Sequence, residues 1–182
     1  MSRAKKKTNG AAHAPDLSRL LDIVSAFSRR TIVVLGDFVV DEYVTGEISR
    51  VSREAPVLIL RHKQTEIIPG GGANAANNLA DLGAKVFPIG AVSDDAAGDA
   101  LIEYFRRKQV DVSGIIRARG WTTTTKTRFL ARWTHTSRQQ VLRVDREPEM
   151  ELPPRIVERI IRKSRARIAK CDAVLVSDYG AG

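Results

Sequence analysis

Three groups of residues in this sequence have types and spacings suited to chemistry. The first is the run Pro69-Gly70-Gly71-Gly72-Ala73-Asn74-Ala75-Ala76-Asn77. Glycines between a strand and a helix let backbone approach a ligand closely, and a helix N-terminus presents N–H groups without intrahelical partners. Asn74 adds an amide that both donates and accepts, so the run suits recognition of hydroxyl groups; the competing reading is a purely structural turn. It contains neither the Gly-Lys-Ser/Thr of a P-loop nor a GxGxxG dinucleotide fingerprint in the right place. The second group is Gly36-Asp37-Phe38-Val39-Val40-Asp41, which follows an apolar run. Carboxylates at the carboxyl end of a parallel strand stand where such sheets bind ligands, and an ionised Asp accepts from two sugar hydroxyls at once. Asp37 also suits a turn cap, which leaves Asp41 as the better ligand candidate.

The third group is Lys126-Thr127-Arg128. On a strand Lys126 and Arg128 share one face, and two such cations could hold a phosphate, Arg in bidentate fashion. Arg143 and Arg146, on either side of Asp145, are further candidates. An exposed charged strand face is the competing reading. His13, His62 and His135 lie far apart with no metal-ligand spacing and receive no role. Cys171 is the sole cysteine. It excludes an intrachain disulfide and reads as a buried structural thiol at the start of a strand.

These groups need elements to position them. Asp16–Ser28 has helical periodicity, with Leu17, Leu20, Leu21, Val24 and Phe27 on one side and Asp16 as N-cap. Thr31–Leu35 reads as a buried strand stopped by Gly36, and Tyr43–Ile48 and Val57–Ile68 as strands with one wet face. The Gly70–Gly72 turn opens a helix over Ala73–Leu82, which Gly83 ends. Lys85–Ile89 is the next strand and Ala96–Lys108 the next helix. Thr122–Leu130 and Gln139–Val144 form a long hairpin across Arg132–Arg138. Pro153 and Pro154 precede a basic helix over Arg155–Lys170, and Ala173–Val176 is a last buried, central strand. Alternating strands and helices interrupted by hairpins imply an α/β sheet decorated with extra β-structure.

The composition sets bounds. The 182 residues have 43% hydrophobic and 5% aromatic content, enough for one soluble domain with its own core. No apolar run reaches the roughly 20 residues of a membrane helix, and a cytoplasmic protein is the expectation. The formal charge of +9 comes partly from the tail over 1–15, with Arg3 and Lys5 to Lys7, which reads as disordered. The rest comes largely from the helix carrying Arg155, Arg159, Arg162, Lys163, Arg165, Arg167 and Lys170, which reads as a solvated face. Without interleaved aromatics or a binding motif, a nucleic-acid partner is not expected.

Taken in order, these residues resemble the PfkB/ribokinase family of carbohydrate kinases from about Thr31 to the last residue. Gly36 to Asp41 and Gly71 to Asn74 match the family's Asp and glycine-rich sugar motifs, followed by Gly83, Gly90, Asp94 or Asp95, and Gly98. The strings Ile48 to Val57, Thr123 to Arg128, Leu142 to Glu147 and Ser177-Asp178-Tyr179 are similar to the kinase domains of bifunctional heptose-7-phosphate kinase/adenylyltransferases. The resemblance implies a ribokinase-like doubly wound sheet with a β-lid that often serves dimerisation. It implies substrate binding by Asp41, Gly71, Gly72, Asn74, Lys126, Arg128 and Asp178. It also implies transfer from ATP, with Mg²⁺, to the anomeric hydroxyl of a heptose 7-phosphate in ADP-heptose and lipopolysaccharide precursor synthesis. A generic ribose or fructose kinase, or a non-catalytic sugar-binding or dimerisation module, stays open. The family's Gly-Ala-Gly-Asp motif, which carries the base, does not occur here. Gly180-Ala181-Gly182 matches only its first three letters. Residues 16–182 are therefore expected to be the N-terminal sugar-binding part and lid, without the ATP-binding half, and inactive alone.

Overall fold

A computed structural model of the chain describes residues 16–132 and 137–180. The tail over 1–15, His13, His135 and most of the link inside the long hairpin lie outside the described residues.

Strand β1 (Thr31–Gly36) has the continuous apolar run of a parallel strand covered on both faces. Val33 and Val34 are both fully buried, and because successive side chains alternate, they enter different layers. Val34 packs with Ala73, Ala76, Leu101 and Phe105. Val33 packs with Phe87 and Ile89, against which half-buried Ile160 and Leu35 lie. Parallel pairing places β1 between β4 (Lys85–Val92) and β8 (Ala173–Ser177), with β5 (Ile115–Arg117) beyond β4 in the order β5-β4-β1-β8. Helices α2 (Gly71–Asp81) and α3 (Ala96–Arg107) cover one face, and α4 (Pro154–Ile168) the other. This is the expected doubly wound α/β architecture.

Helix α2 begins two residues before the expected Ala73. Gly71 takes φ +54°, a left-handed conformation that suits glycine, so strand passes to helix with no intervening turn. At its other end Gly83 has φ +89°, as a C′ glycine should. Helix α4 turns Ile156, Ile160 and Ser164 inward, and its Arg167 lies 3.8 Å from the Phe87 ring centroid while pairing with Asp111 at 3.0 Å. Its remaining basic residues are mostly exposed, as a solvated face requires.

A second sheet, β3-β2-β6-β7, stands off this body. It contains β2 (Phe38–Val51), β3 (Leu58–Gly70), β6 (Thr125–Arg132) and β7 (Gln139–Arg146). β2 and β3 are antiparallel, β2 and β6 parallel, and β6 and β7 antiparallel. Its root at Phe38–Val40 and Pro69–Gly70 is buried, whereas β7 is exposed along its whole length.

Two expectations need correction, and two further features were not anticipated. β8 is an edge strand, not a buried central one: among the described residues it pairs only with β1, and Val176 is 66% exposed. Cys171 is only half-buried, because it sits in the turn between α4 and β8 at the rim of the Val33 cluster, its thiol donating to Ile168 O at 3.3 Å. Helix α1 (Leu17–Ser25) forms and Asp16 caps it, but none of its residues is buried, since no described element covers its apolar side. Strand β5 was not expected, because three residues give too short a pattern to read.

Candidate functional site

Cross-strand register assembles the site. Asp41 on β2 lies beside Lys126 on β6, and Lys126 lies opposite Asp145 on β7. One step of two residues further along, Tyr43 neighbours Arg128, which in turn opposes Arg143. All six belong to one face of the second sheet by the alternation of strands. Lys126 therefore has a carboxylate on each neighbouring strand, the favourable arrangement for cross-strand pairs, whereas Arg128 stands opposite the like charge of Arg143.

This face and the start of α2 border a cavity of about 640 Å³. Asp41, Gly71, Asn74, Lys126 and Arg128 all line it, so five of the seven residues proposed from sequence converge. Two do not. Gly72 is buried, and its N–H donates to Asp37 O at 2.8 Å, which commits it to holding α2 against the end of β1. Asp178 lines a neighbouring cavity of about 270 Å³ with Asp37, Gly36 and Gly90, and its carboxylate accepts the Gly180 N–H at 2.8 Å. Asp37 takes the turn role weighed against binding: its carboxylate accepts Tyr179 N–H at 2.8 Å and so fixes the segment that borders both cavities.

The two cations that line the main cavity are already paired. Arg128 Nη1 donates to the Asp41 carboxylate, with both side chains about four-fifths buried, and the guanidinium sits 5.4 Å from the Tyr43 ring centroid. The hydrogen bond to Asp41 raises the pKa of Arg128 further above its ordinary value, against the opposing effect of burial. Lys126 Nζ lies 3.4 Å from Asp145 and 3.6 Å from Glu147. For Asp145 desolvation works against ionisation, but hydrogen bonds from Arg143 and Lys126 outweigh it and hold the carboxyl below its ordinary value. Arg143 is thus engaged with Asp145, at 2.8 Å, and Arg146 falls on the opposite face of β7; neither lines the cavity. Asn74 is exposed to the cavity, and its amide makes no hydrogen bond among the described residues.

Other lining residues could not be read from sequence. Trp121 is buried between the two cavities and donates from Nε1 to Met150 O at 3.0 Å. That bond ties down the segment Glu147–Leu152, which forms one wall. The loop carrying Trp121 is in turn fixed by Ser93 and Asp95. Ser93 Oγ donates to Trp121 O at 2.6 Å, and Thr123 N donates to Asp95 Oδ2 at 2.9 Å. Asp95 also caps α3 by accepting Gly98 N–H at 2.8 Å. A tryptophan in a loop and an Asp before a helix were visible, but their long-range partners carry no local signal.

Asp95→Ala removes the cap and leaves the Thr123 N–H without its acceptor, so it is expected to cost about 2 kcal/mol, read as a fall in thermal midpoint. Burial works against charge on Asp95, but the N–H groups of Thr123 and Gly98 outweigh it and depress the carboxyl's pKa. A depressed folded value means stability present above the unfolded value of about 3.9 and lost as pH falls through the folded one. Acid titration of stability should accordingly lose a component below about pH 4 in Asp95→Asn.

A parallel sheet covered on both faces, with a β-sheet flap beside a cavity lined by charged and amide side chains, is a ribokinase-like arrangement. Residues 29–151 match the pfkB family carbohydrate kinases, and the chain belongs to that family. It is 41% identical over 159 residues to the bifunctional protein HldE of Desulfatibacillum aliphaticivorans, covering 87% of this chain and 32% of that protein. It is 38% identical over 153 residues to the protein of the same name from Helicobacter pylori strain HPAG1, covering 84% and 32%. The chain thus spans about a third of the length of these curated relatives. Among solved structures, a carbohydrate kinase from Agrobacterium tumefaciens shares the fold with a TM-score of 0.57 at 24% identity, over 81% of this chain and 45% of that one. Arabidopsis thaliana ribokinase complexed with ribose and ATP gives 0.52 at 19% identity, over 81% and 45%.

Proposed function

We propose that this chain supplies the sugar-phosphate site of an ATP-dependent kinase. The substrate is D-glycero-D-manno-heptose 7-phosphate and the acceptor its anomeric hydroxyl, in the synthesis of ADP-heptose for lipopolysaccharide. The relatives named HldE support the choice of sugar. The carrying observation is the single cavity in which Asp41, Gly71 and Asn74, suited to hydroxyls, stand beside Lys126 and Arg128, suited to a phosphate. Asp41 and Asn74 orient the ring through hydrogen bonds, Lys126 and Arg128 anchor the far phosphate, and the Glu147–Leu152 wall limits water. Such anchoring fixes the reacting hydroxyl, and positioning supplies much of the acceleration in phosphoryl transfer.

ATP is the phosphoryl donor in this reading. Mg²⁺ would accompany ATP in this reading; among the described residues no three or more His, Cys, Asp or Glu side chains group to hold a metal ion. The reaction takes place in the cytoplasm in this reading; no described helix is long and apolar enough to cross a membrane. Val141, Leu142 and Val144 lie exposed on β7, and this strand is the edge through which the second sheet would join two copies in a homodimer.

The test is transfer by the complete protein, followed by phosphorus NMR. A new anomeric phosphate on heptose 7-phosphate is expected. Lys126→Met should raise KM for the 7-phosphate about tenfold, the loss of one charge-assisted contact, while changing binding of unphosphorylated heptose less than about twofold. Equal effects on both sugars would place the phosphate elsewhere.

A further inference from the structure

The proposed phosphate site is electrically satisfied before any ligand arrives. Its two cations, Lys126 and Arg128, face three carboxylates: Asp41 on Arg128, and Asp145 and Glu147 on Lys126. A phosphate gains little from cations that are already neutralised unless it displaces one of their partners, because the attraction is counted against the pair it breaks.

The three carboxylates are not equally displaceable. Asp41 is about four-fifths buried and bonded to Arg128, which stands two residues along β6 from Lys126, the register partner of Asp41. Asp145 lies on an exposed strand, but its side chain is only 24% exposed and is held a second time by Arg143 at 2.8 Å. Glu147 is 60% exposed, lies 3.6 Å from Lys126, and has no other ion pair or hydrogen bond among the described residues. It also lies beyond the end of β7, at the start of the wall that Trp121 anchors three residues further on at Met150. Glu147 alone of the three carboxylates joins a weak hold on Lys126 to a place outside the strands.

We propose that the Glu147 carboxylate is an internal stand-in for the substrate's phosphate: it occupies Lys126 in the empty site and is expelled when a sugar phosphate binds. This inference rests on the reading that Lys126 receives the phosphate. It makes Glu147 a specificity-determining residue that disfavours ligands whose anionic group is too weak or too short to compete. Binding of an unphosphorylated sugar leaves the Lys126–Glu147 pair intact. Binding of a sugar phosphate exchanges one ion pair for another, so its affinity depends weakly on salt.

The test compares Glu147→Gln with the parent in the complete protein, by calorimetric titration with heptose 7-phosphate and with heptose. Removing the stand-in is expected to tighten the 7-phosphate about fivefold, or about 1 kcal/mol, in line with a partly exposed ion pair. It should also steepen salt dependence and leave heptose affinity unchanged. Weaker binding of both sugars by Glu147→Gln would mean that Glu147 is a hydroxyl ligand and would overturn the inference. Unchanged affinity for the 7-phosphate would overturn it as well. Lys126→Met separates the two levels: if it weakens the 7-phosphate alone while Glu147→Gln has no effect, only the stand-in fails. If Lys126→Met affects neither sugar, the phosphate site itself is misplaced.

Discussion

Asp41→Ala is expected to lower kcat/KM for the sugar phosphate about 100-fold, or about 2.8 kcal/mol. The carboxylate is the best acceptor for ring hydroxyls in the cavity, and losing two charge-assisted hydrogen bonds accounts for that size. The substitution also strips Arg128 of its partner, which lets the guanidinium grip the phosphate more tightly and offsets part of the loss. The unphosphorylated sugar has no such compensation, so its affinity should fall further than that of the phosphate ester. Asp41→Asn keeps the shape and one acceptor and should fall between. Steady-state kinetics on the phosphate ester with calorimetry on the free sugar separates these contributions. A uniform loss on both ligands would show that Arg128 does not meet the phosphate.

Gly36→Ala is expected to destabilise the fold strongly, as a methyl that collides with backbone. Its Cβ would lie 2.2 Å from Ser177 O, a backbone atom of the neighbouring strand β8. The conflict cannot be relieved by rotating a side chain; β1 and β8 must separate, which breaks the pairing of Gly36 with Ser177 and the bond from Asp37 N–H to Ser177 O at 3.1 Å. Overpacking against a rigid wall costs about 3 kcal/mol, at the upper end of such effects. Denaturant unfolding of the purified variant measures it. The same methyl at Gly120 meets nothing within 4 Å, although its φ of +76° strains a side chain, so Gly120→Ala is the control for conformation without collision. A loss at Gly36 no larger than at Gly120 would contradict the packing account.

The sequence carried the fold where periodicity was strong. The apolar run of β1, the small-residue α2 and the long hairpin of β6 and β7 are local patterns and formed close to their expected places, whereas β2 runs over Phe38–Val51, well beyond the expected Tyr43–Ile48. The site was legible where chemistry and register coincide: Lys126 and Arg128 share a face because strands alternate, and Asp41 reaches the same cavity because β2 pairs with β6. What stayed hidden depended on distant partners. Nothing near Gly72 announces that its N–H is committed to Asp37, and nothing near Asp178 shows that its carboxylate folds back on Gly180. The exposure of β8 was likewise out of reach, because an apolar pentapeptide reads the same at the edge or the centre of a sheet. Trp121 and Glu147 join the site through a loop and a wall whose positions are set by Ser93, Asp95 and Met150 rather than by their own neighbours in sequence.

The most direct measurement of the central claim is a crystal structure of the complete protein with heptose 7-phosphate. The account predicts ring hydroxyls on Asp41 and Asn74, and the phosphate on Lys126 and Arg128 with Glu147 turned away. A ring bound outside this cavity, or a phosphate lying against the α2 N-terminus with the sugar on Lys126, would contradict it.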